Sequence, residues 1–174
     1  PWVLCSFIPL GIIIGFASIF FIRTLYAIED QFDRISNPYF RHMLGMFLVA
    51  SLFVSMHYIS GEYYIEGIGY ATIMDVLEGG VLPNAGFLLL LFLLKTLATS
   101  MTIGSGGSGG VFSPSLFLGA VLGGGIGLWL ALWLPVSPVS YAIAGMAGMV
   151  AGATGGVLMA VVMVLEMTQH YNAI

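Results

Sequence analysis

The sequence predicts an all-α integral membrane protein that crosses the bilayer several times, and three observations predict it. Of the 174 residues, 59% are hydrophobic and only 7% are charged, whereas charged residues approach a quarter of an ordinary soluble domain. The apolar residues form continuous runs without the alternation of a β-barrel, which favours transmembrane helices. A glycine- and serine-rich tract between two apolar runs indicates tilted and broken helices.

The composition also excludes several classes of function. The formal net charge of −4 rests on four basic and eight acidic residues, so no basic surface for nucleic acid is present. A single cysteine, Cys5, excludes an internal disulfide and a CxxC metal motif. The three histidines, His42, His57 and His170, lack the spacing of metal ligands. We therefore expect no metal and no cofactor.

Four apolar runs are long enough to span a bilayer as helices. They cover residues 2–22, 43–59, 85–103 and 111–134. Residues 23–41, between the first two, form the most polar segment and hold three of the four basic residues. By the positive-inside rule, we expect this segment to be a cytoplasmic loop.

The remaining segments are shorter. Residues 60–80 form a mixed polar stretch, and its GIGYAT run at 67–72 predicts a short re-entrant or interfacial element. The apolar segments 139–150 and 156–168 are short for a full span, so we expect tilted helices or helices that end partway through the membrane.

Small residues recur along several predicted helices. A GxxxG pair at Gly11 and Gly15 is interpreted as chance in a glycine-rich chain. Two denser groups predict close helix–helix packing, because small residues let backbones approach each other. These groups are Gly119, Gly123 and Gly127, and Gly145, Gly148 and Gly152.

The tract GSGGSGG at residues 104–110 matches the GxGxxG pattern of dinucleotide-binding sites. That interpretation requires a preceding strand and a βαβ unit, whereas an apolar helix precedes this tract. Irregular backbone at membrane depth is instead tolerated where it lines a water-filled cavity or binds a ligand. A connecting loop with water nearby is the alternative.

The segment Gly110, Val111, Phe112, Ser113 and Pro114 is the candidate anion-binding site. Glycine allows close backbone approach, and proline in the first helical turn has no N–H to leave unpaired. The amides at such a helix start, together with its positive dipole end, suit an anion.

The run GGVFSPSLFLGAVLGG resembles the Gly-x-Phe-x-Pro anion motif of the CLC family of chloride channels and chloride–proton antiporters. Downstream, AGMAGMVAGATGGVLMAVVMVLEMT is similar to a later helix pair of that family, which ends in Val-Leu-Glu-Met-Thr. The resemblance covers nearly all of the chain. It implies that residues 1–174 belong to a single transmembrane domain, as about its latter half, with the first repeat and the last helices missing.

The resemblance implies transport of chloride or a similar small anion, by a voltage-gated type of channel or a proton-coupled antiporter. It implies a multi-pass protein of the cell membrane, a homodimer with one pathway per subunit, and no enzymatic activity. Val111 and Phe112 would offer their amides to a central chloride. The family's serine-bearing segment, gating glutamate and final-helix tyrosine are missing; Ser105 and Ser108 precede the wrong helix to replace that serine.

Lys95 interrupts an apolar run, and an ionisable residue at membrane depth is a candidate functional residue. Two interpretations remain open. In the first, Lys95 sets a positive potential along the anion route, and similar family members also carry a basic residue there. In the second, it forms a structural ion pair with Glu166.

Two other functions compete with chloride transport. One is a secondary transporter with broken helices for an organic anion or a cation. The other is a membrane scaffold fragment with no transport activity.

Overall fold

The computed structural model describes residues 5–77 and 85–168. The predictions for residues 2–4, for residues 78–80 and for His170 lie outside the described residues. The described residues form seven helices and no strand, which confirms the all-α prediction. The helices are α1 (Phe7–Asp33), α2 (Pro38–Ser60), α3 (Tyr70–Leu77), α4 (Ala85–Gly104), α5 (Phe112–Ala131), α6 (Pro138–Thr154) and α7 (Val157–Thr168).

Four of these helices, α1, α2, α4 and α5, are long and apolar enough to cross a membrane. They correspond to the four predicted spans. The helices α6 and α7 have 17 and 12 residues, in agreement with the two segments predicted to be short for a full span. The short helix α3 follows the loop of residues 61–69, so the predicted element near residues 67–72 exists but begins at Tyr70.

The predicted loop at residues 23–41 is wrong. Helix α1 has 27 residues and continues through Arg23 to Asp33, so that only residues 34–37 separate it from α2. A span needs only about 20 residues, and the helical backbone satisfies its own hydrogen bonds whatever the polarity of its side chains. The polar stretch therefore extends the helix beyond its apolar part.

A capped turn joins α1 to α2. Asn37 Oδ1 accepts hydrogen bonds from Tyr39 N at 3.0 Å and Phe40 N at 3.3 Å, and Pro38 occupies the first helical position. Both features are typical of helix starts. Arg41 Nη1 lies 2.5 Å from Asp33 Oδ1, an ion pair between the two helices.

The core centres on the packing of α5 against α6. A Cβ atom added to Gly119 would lie 2.6 Å from Met146 Cα and would also collide with Gly145 O. The glycines therefore let two backbones touch, which confirms their predicted packing role. By contrast, a Cβ at Gly11 or Gly15 would meet nothing within 4 Å, in agreement with a chance GxxxG pair.

Candidate anion-binding site

The first half of the glycine tract closes the end of α4. Ser105 N donates to Met101 O at 3.0 Å, Gly106 N to Ile103 O at 3.0 Å, and Gly107 N to Thr102 O at 2.8 Å. Gly106 has a φ of +86°, a conformation that glycine adopts without the steric penalty of a Cβ atom. The tract therefore follows a helix, and the strand required for a dinucleotide fold is not there.

The second half of the tract leads into the first turn of α5. Val111 O accepts the first hydrogen bond of the helix, from Ser115 N at 3.1 Å. Within the described residues, no hydrogen bond comes from the amide nitrogens of Val111 and Phe112, and Pro114 has no N–H to offer. The helix therefore starts with unpaired donors at the positive end of its dipole.

A cavity of about 460 Å³ lies beside this helix start. Its lining includes Gly110, Ser113 and Pro114 of the predicted motif, together with Lys95 from α4. The side chains of Val111 and Phe112 are half-buried and pack against the hydrophobic core instead. The structure thus brings four of the predicted residues to one cavity and leaves Val111, Phe112 and Glu166 outside its lining.

Ser113 is the member of the motif with an unexplained polar group. Its Oγ atom is buried and has no hydrogen-bond partner among the described residues. Two residues further on, Ser115 Oγ donates to Val111 O at 2.6 Å, the usual arrangement for serine in a helix. An unpaired buried hydroxyl is unfavourable by about 1–3 kcal/mol, so a ligand that accepts its proton would stabilise this turn.

Lys95 makes contacts that the sequence did not reveal. The residue is 3% exposed, and its Nζ donates to Ile65 O at 2.9 Å and to Gly67 O at 2.6 Å. Of the two interpretations left open for Lys95, the ion pair with Glu166 is wrong. Glu166 is exposed, and the ion pair found in the described residues joins Arg41 to Asp33. Main-chain carbonyls of a neighbouring loop solvate the ammonium in place of a carboxylate.

The sequence did not predict that Ile65 and Gly67 accept hydrogen bonds from Lys95. Every residue carries a main-chain carbonyl, and only the tertiary fold determines which two lie beside the lysine. The GIG run at residues 67–69 was the available signal, since glycines permit an unusual loop.

Ser105 is buried and its Oγ donates to Thr102 O at 3.1 Å. Its hydroxyl is therefore used within the fold, in agreement with the merely superficial resemblance to the family's serine segment.

The fold defines a multi-pass helical membrane protein, in which the start of α5 leaves unpaired amides beside a cavity. The family model described as voltage gated chloride channel matches residues 1–174. The chain belongs to this family, the CLC proteins, which confirms the resemblance of its motifs.

Individual relatives agree with this membership. The chain is 31% identical over 172 residues to an H⁺/Cl⁻ exchange transporter ClcA of Vibrio cholerae serotype O1 (strain M66-2). The aligned region comprises 97% of this chain and 36% of that protein. The identity to an H⁺/Cl⁻ exchange transporter ClcA of Yersinia pestis bv. Antiqua (strain Angola) is also 31%, and the aligned region comprises 97% of this chain and 35% of that protein. The chain thus spans about a third of the length of these relatives.

The fold also matches a solved structure. A CLC-type fluoride/proton antiporter superposes with a TM-score of 0.79 at 22% identity, over 98% of this chain and 40% of that one. This likeness shows that the helices are arranged as in a CLC protein.

Proposed function

We propose that this chain forms part of a membrane pathway for chloride or a similar small anion, and that the amides of Val111 and Phe112 hold the anion. The observation that carries this proposal is the start of α5, where those two amides have no partner in the described residues and a cavity lies alongside. Family membership supports it, because the relatives in Vibrio and Yersinia are named as H⁺/Cl⁻ exchange transporters.

The physical mechanism is replacement of the anion's hydration shell. Amide donors and the positive end of the α5 dipole offset the free-energy cost of removing water from the anion. Each of them carries only a partial positive charge. Transport requires an ion that can leave, and partial charges bind less tightly than a direct ammonium contact. The ammonium of Lys95 donates to the carbonyls of Ile65 and Gly67 in the neighbouring loop, which supports a site without a direct ammonium contact to the anion.

Proton-coupled exchange is the form of transport that we propose. The names of the relatives support exchange over a passive channel, and no step of this mechanism forms a covalent bond, so we propose a transporter and not an enzyme. We further propose that it works as a homodimer in the cell membrane, with the turn at residues 34–37 on the cytoplasmic side.

The experiment is chloride efflux from liposomes that contain the full-length protein. Phe112→Ala removes the ring that anchors the first turn to the core, and Pro114→Ala adds an N–H and frees the backbone there. Both variants should change the rate or the anion selectivity of efflux. Phe47→Ala is the matched control, because Phe47 is 69% exposed and lies outside the cavity lining.

Unchanged transport in both motif variants would contradict the assignment of this site. Transport of an organic anion or a cation in preference to chloride would favour the competing type of secondary transporter. Proton movement against a pH gradient, driven by chloride, would distinguish exchange from a passive channel.

A further inference from the structure

The loop between α2 and α3, residues 61–69, is joined to both α4 and α5 through Lys95. Lys95 Nζ donates to Ile65 O at 2.9 Å and to Gly67 O at 2.6 Å. The same nitrogen lies 5.1 Å from the centroid of the Phe117 ring in α5, within the range of a cation–π contact. One side chain from α4 therefore connects the loop to two helices.

Two further contacts hold the same loop. Thr72 Oγ1 donates to Tyr64 O at 2.8 Å. Gly69 rests on the Phe117 ring, where a Cβ atom would lie 2.5 Å from the ring's Cδ2. Three loop carbonyls, those of Tyr64, Ile65 and Gly67, thus receive donors from side chains, as irregular backbone requires where water is scarce.

The ammonium is suited to this task. A buried charge is unfavourable unless it is hydrogen-bonded, and Lys95 is 3% exposed. Its three donors can bind more than one carbonyl at once, through charge-assisted bonds stronger than those of a hydroxyl. Two of the three donors serve the loop, so the main part of its bonding capacity is structural.

We propose that Lys95 is a positioning residue, which clamps the α2–α3 loop in place and thereby sets the width of the cavity beside the anion motif. Ile65, Gly67 and Ile68 from the loop line that cavity together with Ser113 and Pro114. The consequence for anion passage rests on the function proposed above, whereas the clamp itself is a property of the fold.

The clamp is tested by thiol labelling of Ile65→Cys in the full-length protein, with Cys5 and any other cysteine replaced by serine. Ile65 is 1% exposed, so its substitute is protected while the loop stays closed. In the additional presence of Lys95→Met, labelling by an uncharged maleimide should accelerate about tenfold or more, because two charge-assisted hydrogen bonds no longer oppose local opening. Lys95→Arg keeps the charge and the donors and should label much more slowly than Lys95→Met.

Leu88→Cys is the matched control, because Leu88 lies on the same helix as Lys95 and, like Ile65, is 1% exposed. Its labelling should not change with Lys95→Met. If Ile65→Cys stays equally protected, or if both cysteines become reactive together, the clamp is refuted. Should Lys95→Met fail to fold, Lys95→Gln provides the comparison: it keeps one donor group, so labelling must exceed that of the parent or the clamp is likewise refuted.

Anion selectivity separates positioning from a purely electrostatic effect. Release of the loop should lower the flux ratio of chloride to the larger isethionate severalfold in Lys95→Met, with the ratio restored in Lys95→Arg. A mere loss of positive potential would reduce both fluxes in proportion and would contradict the positioning role. Absence of chloride transport in the parent protein would refute the proposed function, and labelling would still decide the clamp.

Discussion

In the proposed site, Val111 and Phe112 contribute through their main chain, while their side chains pack against the core. The Phe112 ring and the Val111 methyl groups pack against the hydrophobic core. The amides of both residues remain unpaired within the described residues. Ser113 differs from both, because its buried Oγ has no partner in that part of the chain and the residue lines the cavity. At the scale of single residues, the proposed site therefore combines two backbone donors with one hydroxyl.

Substitution of Ser113 tests that hydroxyl. If an anion accepts its proton, Ser113→Ala should weaken chloride binding about 10- to 100-fold, since a hydrogen bond to a charged group contributes about 1.5–3 kcal/mol. Isothermal titration of the full-length protein with chloride measures the change. Stability without chloride should not fall, because Ser113 Oγ has no hydrogen-bond partner among the described residues.

Ser115→Ala is the control for this prediction. Ser115 Oγ already donates to Val111 O, so its loss should lower the free energy of unfolding by about 1 kcal/mol and leave chloride affinity nearly unchanged. Equal chloride affinity in Ser113→Ala and the parent would show that the Ser113 hydroxyl does not contact the anion.

At the scale of helices, glycine-mediated packing of α5 against α6 fixes where the site points. The N-terminus of α5 carries the anion motif, and residues 115–121 behind it are buried. The backbones of Gly119 and Gly145 touch with no side chain between them. A shift of α5 would therefore displace the two amides together with the helix.

Gly119→Ala should destabilise the protein by about 1–3 kcal/mol, because the new Cβ overlaps the backbone of α6 and the helices must separate. Gly15→Ala is the matched control, since a Cβ there meets nothing within 4 Å and alanine favours the helix. Thermal unfolding of the full-length protein in detergent measures both. Equal melting temperatures for Gly119→Ala and the parent would contradict the packing.

The turn that ends α4 gives a separate prediction for the glycine tract. Gly106 has a φ of +86°, so Gly106→Ala should lower stability by about 1–2 kcal/mol. Gly110→Ala, where no positive φ is present and nothing lies within 4 Å, should be tolerated by the fold. Equal stability losses in the two variants, measured by thermal unfolding, would contradict this account of the turn.

The sequence predicted the helices better than their connections. The apolar runs at 43–59, 85–103 and 111–134 lie within a few residues of α2, α4 and α5, because length and hydropathy define a span directly. The extension of α1 through Arg23 was missed, since hydropathy marks where the membrane ends and not where the helix ends. The bonds of Lys95 to Ile65 and Gly67 were missed because they depend on tertiary packing alone.

At the scale of the whole molecule, the chain spans about a third of the length of its curated relatives. We propose that the anion site is completed by residues of the full-length protein outside residues 1–174. Large apolar side chains are exposed on several helices, for example Phe16, Phe47 and Leu158. Such surfaces are suited to lipid, to the remainder of the protein or to a second subunit.

The homodimer is tested by the mass of the full-length protein in mild detergent. Light scattering coupled to size exclusion, corrected for bound detergent, should give twice the mass of one subunit across a range of concentrations. A monomeric mass throughout, with chloride transport intact, would contradict the dimer and leave the anion site unaffected.

The central claim is that the amide nitrogens of Val111 and Phe112 bind a dehydrated anion, and anomalous diffraction tests it most directly. Crystals of the full-length protein grown with bromide in place of chloride locate the halide by its own scattering. The account predicts a bromide peak within hydrogen-bonding distance of both nitrogens. A well-ordered α5 start with no bromide there, and bromide bound elsewhere along the pathway, would contradict it.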